Sequence, residues 1–337
     1  MRFCKIYIPI QIFVILLTLL SIGCKSDVTT SVTATGDPEI DKINTEISQD
    51  PDNPNLYFKR AQSYYEKESY DLTILDIQKA MTIDSLNPDF YHLLTDAYLD
   101  YYNSSAALNT MRKVLTLYPE RIPSLLKMAE LKYILQDYDG SILTVNEVVR
   151  LKPQNAEAYY MLGLNFRSLN DPQRAINAFQ TAVEMDSKLT DAWISLGELY
   201  EEKKDKTSLK YYENAIISDP TSMQALHAKA FYLQNHGSIA EAQDIYKNII
   251  IQDRTYSDAY LNSGLLYLST DSIDRAYEQF DLLTSIAPTN DMGFYLRGVV
   301  NEKKGNLTAA KNDYQSAYNL NKNDPKVKAA LDAIQNQ

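Results

Sequence analysis

The side chains with which this 337-residue chain could do chemistry are three histidines, two cysteines, 44 carboxylates and 26 tyrosines. A metal or acid–base site would require His92, His227 and His236 to converge with one another or with carboxylates. Their spacing opposes this. His92 and His227 hold equivalent positions four structural units apart, and His236 sits in the turn signal His236-Gly237-Ser238. There is no His-Glu-x-x-His, no phosphate-cradling glycine loop and no Gly-x-Ser-x-Gly elbow. Lys203-Lys204 and Lys303-Lys304 stand where helices end, and cations are favourable there. Both cysteines, Cys4 and Cys24, fall at the N-terminus, so the body has no disulfide and no thiolate ligand. The expectation is a chain that is not an enzyme and holds no metal or cofactor. Its chemistry is then binding, and the aromatic side chains are the candidates for it.

What positions those side chains is a 34-residue spacing. Counting from Ala156 as place one, the eighth place reads Ala61, Thr95, Ala129, Gly163, Gly197, Ala230, Gly264, Gly298. The twentieth reads Thr73, Ala107, Ser141, Ala175, Ser208, Ala242, Ala276, Ala310. Such a period marks a solenoid whose units bury their apolar faces only against neighbours. Eight units follow from it: 54–87, 88–121, 122–155, 156–189, 190–222, 223–256, 257–290 and 291–324. Each holds two helical patterns split by turn chemistry such as Asn170-Asp171-Pro172 or Lys304-Gly305-Asn306. Small residues at places eight and twenty predict where two helices cross, since a larger side chain would push the axes apart. Residues 39–50 carry Ile40, Ile43 and Ile47 at helical spacing and predict a capping helix; 325–337, with Val327, Leu331 and Ile334, predict another.

Trp193-x-x-Leu196-Gly197-x-x-Tyr200, and Tyr159-x-x-Leu162-Gly163-x-x-Phe166 followed by Ala175, Phe179 and Ala182, resemble the tetratricopeptide repeat. The resemblance implies an all-α fold: a superhelical solenoid of about eight helix-turn-helix repeats across 51–324, with N- and C-terminal capping helices. It also implies a concave groove lined by the first helix of each pair. Eleven of the 26 tyrosines occupy the fourth, eleventh and twenty-fourth places, which the repeat fills for packing. The fifth and twelfth places, which the resemblance puts in the groove, hold Phe58, Tyr65, His92, Tyr133, Tyr160, His227 and Tyr295. Acids stand among them: Asp89, Asp96, Glu130, Glu157, Asp191 and Glu198. Exposed aromatics of this kind anchor peptide and protein partners; the alternative is that adjacent turns cover them. The lysine–asparagine set with which one subtype clamps a C-terminal carboxylate is missing, because the fifth place never carries lysine. The implied role is a scaffold for neutral or basic protein segments. Two others stay open: a self-associating structural spacer, and a carrier for a glycan or other small ligand.

Net charge is −11, and the first 23 residues contain Arg2 and Lys5 but no acid, so the rest is more acidic still. Nucleic acid is therefore excluded as a partner, and an anionic membrane would not attract the body. The N-terminus differs. Arg2 and Lys5 precede an apolar run through Gly23, the pattern of a secretory signal over 1–23. Ser21-Ile22-Gly23-Cys24 resembles the lipobox of bacterial lipoproteins, although Ser21 stands where leucine is usual. That resemblance implies acylation of Cys24, while an uncleaved membrane anchor is the other reading of the same run. Residues 24–38, rich in Ser and Thr, predict a flexible tether, and Lys25 after the cysteine resembles lipoproteins sorted to the outer membrane. The expected location is the envelope of a Gram-negative cell.

Overall fold

The computed structural model describes residues 35–335. Residues 1–34, on which the expected signal segment, the acylation of Cys24 and most of the expected tether fall, lie outside the described residues. Everything described is helix and connecting turn, with no strand among the described residues. The chain divides into two compact units, Met1–Ser85 and Leu86–Gln337. In the first lie α1 (Pro38–Gln49), α2 (Pro54–Glu66) and α3 (Tyr70–Ile83). The second begins with hairpins α4 (Pro88–Asp100)/α5 (Ser104–Leu117), α6 (Ile122–Ile134)/α7 (Tyr138–Leu151) and α8 (Ala156–Ser168)/α9 (Pro172–Met185). It continues with α10 (Thr190–Glu202)/α11 (Ser208–Ser218), α12 (Met223–Asn235)/α13 (Ile239–Gln252) and α14 (Ser257–Ser269)/α15 (Ile273–Ile286). The hairpin α16 (Asp291–Lys303)/α17 (Leu307–Leu320) and the single helix α18 (Pro325–Gln335) complete it. Within this unit each second helix packs on the first helix of the next hairpin.

The first helix of every hairpin is closed by one device. Glu68, Tyr102, Gln136, Asn170, Lys204, Gly237, Asp271 and Gly305 recur at the repeat spacing with φ between +55° and +86°. At Tyr102 the amide bonds the Leu99 carbonyl at 3.0 Å, and the next amide, Asn103, bonds that of Tyr98 at 2.7 Å. This is a Schellman closure, which satisfies carbonyls the helix would otherwise leave bare. The residue after the left-handed one also opens the second helix: Asn103, Asp137 and Asp171 accept from the amides of Ala106, Gly140 and Arg174. Only two of the eight positions carry glycine, so six side chains hold a backbone conformation costing about 1–2 kcal/mol each.

Packing inside a hairpin follows a second rule. Place eight on the first helix faces place twenty-four on the second. Where place eight is glycine, place twenty-four is a ring: Gly163 with Phe179, Gly197 with Tyr212, Gly264 with Phe280, Gly298 with Tyr314. A Cβ added at Gly264 would stand 2.5 Å from the Phe280 ring, and one at Gly298 would stand 2.7 Å from Tyr314, distances real Cβ atoms do not reach. Where place eight is Ala61, Thr95 or Ala129, the facing residue is Ile77, Met111 or Val145. Ala230 with Tyr246 departs from the rule. The ring tyrosines need somewhere for their hydroxyls: Tyr212 donates to Glu201 at 2.8 Å, Tyr246 to Gln234 at 3.1 Å and Tyr314 to Glu302 at 2.7 Å. Place twenty meets the same crossing, and the Ser141 hydroxyl donates to the Ala129 carbonyl at 2.8 Å.

One core position breaks the pattern. Asn165 is fully buried at place ten, where the neighbouring hairpins carry Leu131 and Leu199. Its amide donates to Ser141 Oγ at 3.0 Å and to the Met161 carbonyl at 2.7 Å, but its Oδ1 has no partner. A buried orphan acceptor costs about 1–3 kcal/mol. Ser141 keeps its own acceptor if the asparagine is removed. Asn165→Leu is therefore expected to raise stability by about 1–2 kcal/mol. Urea unfolding checks this, and a destabilised variant would show that the amide contributes more than its orphan oxygen costs.

Candidate functional site

The first helices of the second unit present places two, five, six, nine and twelve along one face. Three of the seven candidate aromatics meet there. His92 of α4, Tyr133 of α6 and Tyr160 of α8 line one hollow of about 740 Å³. Much of its remaining wall is aliphatic: Ile122, Leu126, Ile134, Met161 and Leu164. Tyr160 also lines a second hollow of about 350 Å³, together with His227, Asp191 and Glu198. A third, about 410 Å³, again shares Tyr160 and Asp191 and adds Lys188 and Asp219. Tyr160 is thus the wall common to all three.

The other candidates sit elsewhere. Tyr295 packs on Tyr314, ring centroids 5.8 Å apart. Phe58 and Tyr65 belong to the first unit, where both are half-buried and Tyr65 meets Tyr70 edge-on at 5.6 Å.

The histidines are placed as packing and hydrogen-bonding groups. His92 Nε2 lies 2.9 Å from Ser124 Oγ, and burial, with Arg121 nearby, pushes its pKa below the ordinary value. His227 is 2.9 Å from Asn262 Nδ2 and stacks on Phe231; burial lowers its pKa too. Both imidazoles are therefore neutral at pH 7. Tyr160, pushed up to about 12 by burial and then by Asp191, keeps its proton. Among the described residues no cluster of three or more His, Cys, Asp or Glu could hold a metal ion.

The acids differ from the simple expectation of an acidic lining. Asp89 pairs with Arg121 at 3.0 Å, and Lys127 bridges Asp96 at 2.6 Å and Glu130 at 3.0 Å. Arg167 pairs with Glu198 and, at 3.3 Å, with Glu202. Four of the six acids are thereby neutralised by cations, most of them from the adjacent hairpin. Glu157 and Asp191 have no ion-pair partner among the described residues. The Asp96 carboxyl is held above its usual range by burial, against the pull of Lys127.

Reading aromatics alone missed the aliphatic wall. Its signal was available, because Leu126 and Leu164 occupy the same fifth and ninth places as the aromatics and acids that were singled out.

The tetratricopeptide repeat model matches residues 160–222, and a second model of the same repeat matches 257–290 and 293–324. This is a tetratricopeptide-repeat protein. The repeat chain is 23% identical to human mitochondrial import receptor subunit TOM70 over 287 residues, 80% of this chain and 47% of that one. It is 35% identical over 98 residues to an N-terminal acetyltransferase A complex subunit-like protein of Schizosaccharomyces pombe, covering 29% of this chain and 14% of the other. The repeat chain thus spans under half the length of these relatives. Among solved structures, the APC/C hetero-tetramer Cut9-Hcn1 superposes with TM-score 0.56 at 13% identity, over 88% of this chain and 58% of that one. A tetratricopeptide repeat protein from Parabacteroides merdae superposes with TM-score 0.53 at 13% identity, over 74% and 98%. These likenesses are of fold. No described helix is long and apolar enough to cross a membrane.

Proposed function

We propose that this tetratricopeptide-repeat protein is a non-catalytic scaffold that grips segments of other proteins along the first-helix face, tethered to a cell-envelope membrane through lipid on Cys24. The observation that carries the binding half is the hollow shared by His92, Tyr133 and Tyr160, whose aliphatic wall and equal numbers of cations and acids suit a side chain leaving water. Repeats of this family work mainly by holding partners, and human TOM70 is by name a receptor subunit. The tether half rests on Ser21-Ile22-Gly23-Cys24 after an apolar run. Neutral or basic segments fit better than acidic ones, since the unpaired groove acids, Glu157 and Asp191, would repel a carboxylate.

Crosslinking in the native envelope tests the first half. Partners captured by the full chain should be lost from a Tyr133→Ala/Tyr160→Ala variant whose helicity is unchanged; partners that persist would move the binding face elsewhere. Tritiated palmitate tests the second half: label should enter the wild type and not Cys24→Ser, and an unlabelled wild type ends the lipoprotein reading.

A further inference from the structure

We infer that the segment held on this face carries a bulky apolar side chain and, four to six residues away, a lysine or arginine. The inference rests on the binding function proposed above and specifies its partner.

The hollows on either side of Tyr160 differ in character. On the α6 side, Leu126, Ile134 and Met161 form an apolar wall, and the charges lining it balance: Lys127 and Lys152 against Glu130 and Glu157. This hollow, at about 740 Å³, admits a Leu, Met or Phe side chain with room to spare. On the α10 side, Asp191 and Glu198 line the second hollow and no lysine or arginine does. Glu198 is neutralised by Arg167, and Asp191 is in no ion pair among the described residues; Lys188 and Asp219, which line the third hollow with it, carry opposite charges and leave its own charge unmatched. His227 beside it is neutral at pH 7 and supplies none. An acid in the first turn of a helix is ordinary. What sets Asp191 apart is its place on the cavity wall, one Tyr160 ring away from an apolar hollow.

Tyr160 joins the two. Its ring packs on Phe179 at 5.6 Å, while its hydroxyl has no hydrogen-bond partner among the described residues and is available to a passing backbone. From the α6–α8 hollow to the N-terminal turn of α10 is about one and a half to two helix spacings of about 10 Å. An extended chain advances about 3.4 Å per residue, so four to six residues cover that path. A basic residue arriving at Asp191 gains a counter-ion; an acidic one meets an uncompensated like charge, and the difference is expected to be about tenfold in affinity.

The test is selection of random twelve-residue peptides displayed on phage against the full chain. Enriched sequences should combine Leu, Met or Phe with Lys or Arg at the stated separation. Selection on Asp191→Lys should exchange the basic preference for an acidic one and keep the apolar preference. Selection on Leu126→Asp should do the reverse, losing the apolar preference and keeping the basic one. A consensus without a basic residue, or one that stays basic on Asp191→Lys, overturns this inference and leaves the binding function standing. Failure of the wild type to enrich any peptide above the bare support overturns both.

Discussion

Gly163→Ala should destabilise the protein in the native background and stabilise it once Phe179 is replaced by Val. The sign reversal follows from the geometry of one crossing. Alanine in a helix is intrinsically better than glycine by about 1 kcal/mol. Here the added methyl would stand inside the contact distance of the Phe179 ring, which is fully buried and backed by Tyr160 at 5.6 Å. Overpacking of this kind costs about 1–3 kcal/mol and sometimes more, so the net effect of Gly163→Ala alone is a loss of about 2 kcal/mol. Phe179→Val alone leaves a cavity and costs about 2–3 kcal/mol. In the double variant the methyl fills part of that cavity and the helix gains its alanine. Ala129 facing Val145 is that same pair, already present one hairpin earlier. The expected coupling is about 3 kcal/mol, measured as a double-mutant cycle by urea unfolding, with amide exchange in α8 and α9 as a local readout. Equal effects of Gly163→Ala in both backgrounds would remove the ring as the reason for the glycine.

That crossing also shows how far the sequence reaches. The 34-residue recurrence of small residues foretells that two helices touch at places eight and twenty, because no other arrangement needs the side chain small at a fixed interval. The choice between glycine and alanine at place eight is different. It answers a residue sixteen positions away on another helix, and only the packed hairpin shows that Phe179 lies over Gly163. The Tyr102 and Gln136 turns were equally hidden, since a tyrosine and a glutamine do not advertise left-handed backbone; their companions Asn170 and Gly237 do. For the site, counting by place puts His92, Tyr133 and Tyr160 on one face with acids among them, but it does not show which of those acids are paired. Lys127 and Arg167 each reach a neighbouring hairpin's acid, and sequence separation gives no sign that they do. The division between Ser85 and Leu86 falls at a joint between repeats, and nothing in its composition sets that joint apart from the others.

A second substitution pair should separate stability from register. Asp313→Ala is expected to cost about 3–5 kcal/mol, because it leaves two N–H groups of a half-buried guanidinium and the buried Asn301 amide without their acceptor. Arg297 ties its own helix, α16, to two others: its Nε and Nη2 donate to Asp313 of α17 at 3.1 and 2.6 Å, and its Nη1 donates to Asp281 and Thr284 of α15 at 2.7 Å each. Asp313, only 7% exposed, also accepts from Asn301 at 2.9 Å. The same two places in the first unit hold Arg60 and Asp76, joined at 2.7 and 2.6 Å, with Arg60 reaching Asn44 of α1 at 2.6 Å. The hairpin that opens the second unit has Leu94 and Thr110 there instead, and it folds without a charge. Removing both charges together is therefore expected to cost little: Arg297→Leu with Asp313→Thr should recover most of what Asp313→Ala loses, as buried pairs exchanged for well-packed residues commonly do. The freed Asp281 is half exposed and can hydrate. What the double variant should lose is the fixed seating of α16 between its neighbours, read as faster amide exchange in α16 to α18 with an almost unchanged urea midpoint. Arg297→Lys, keeping the charge but not the fork, should fall between the two. If the double variant is as unstable as Asp313→Ala, the pair is a net source of folding energy and the register account is wrong.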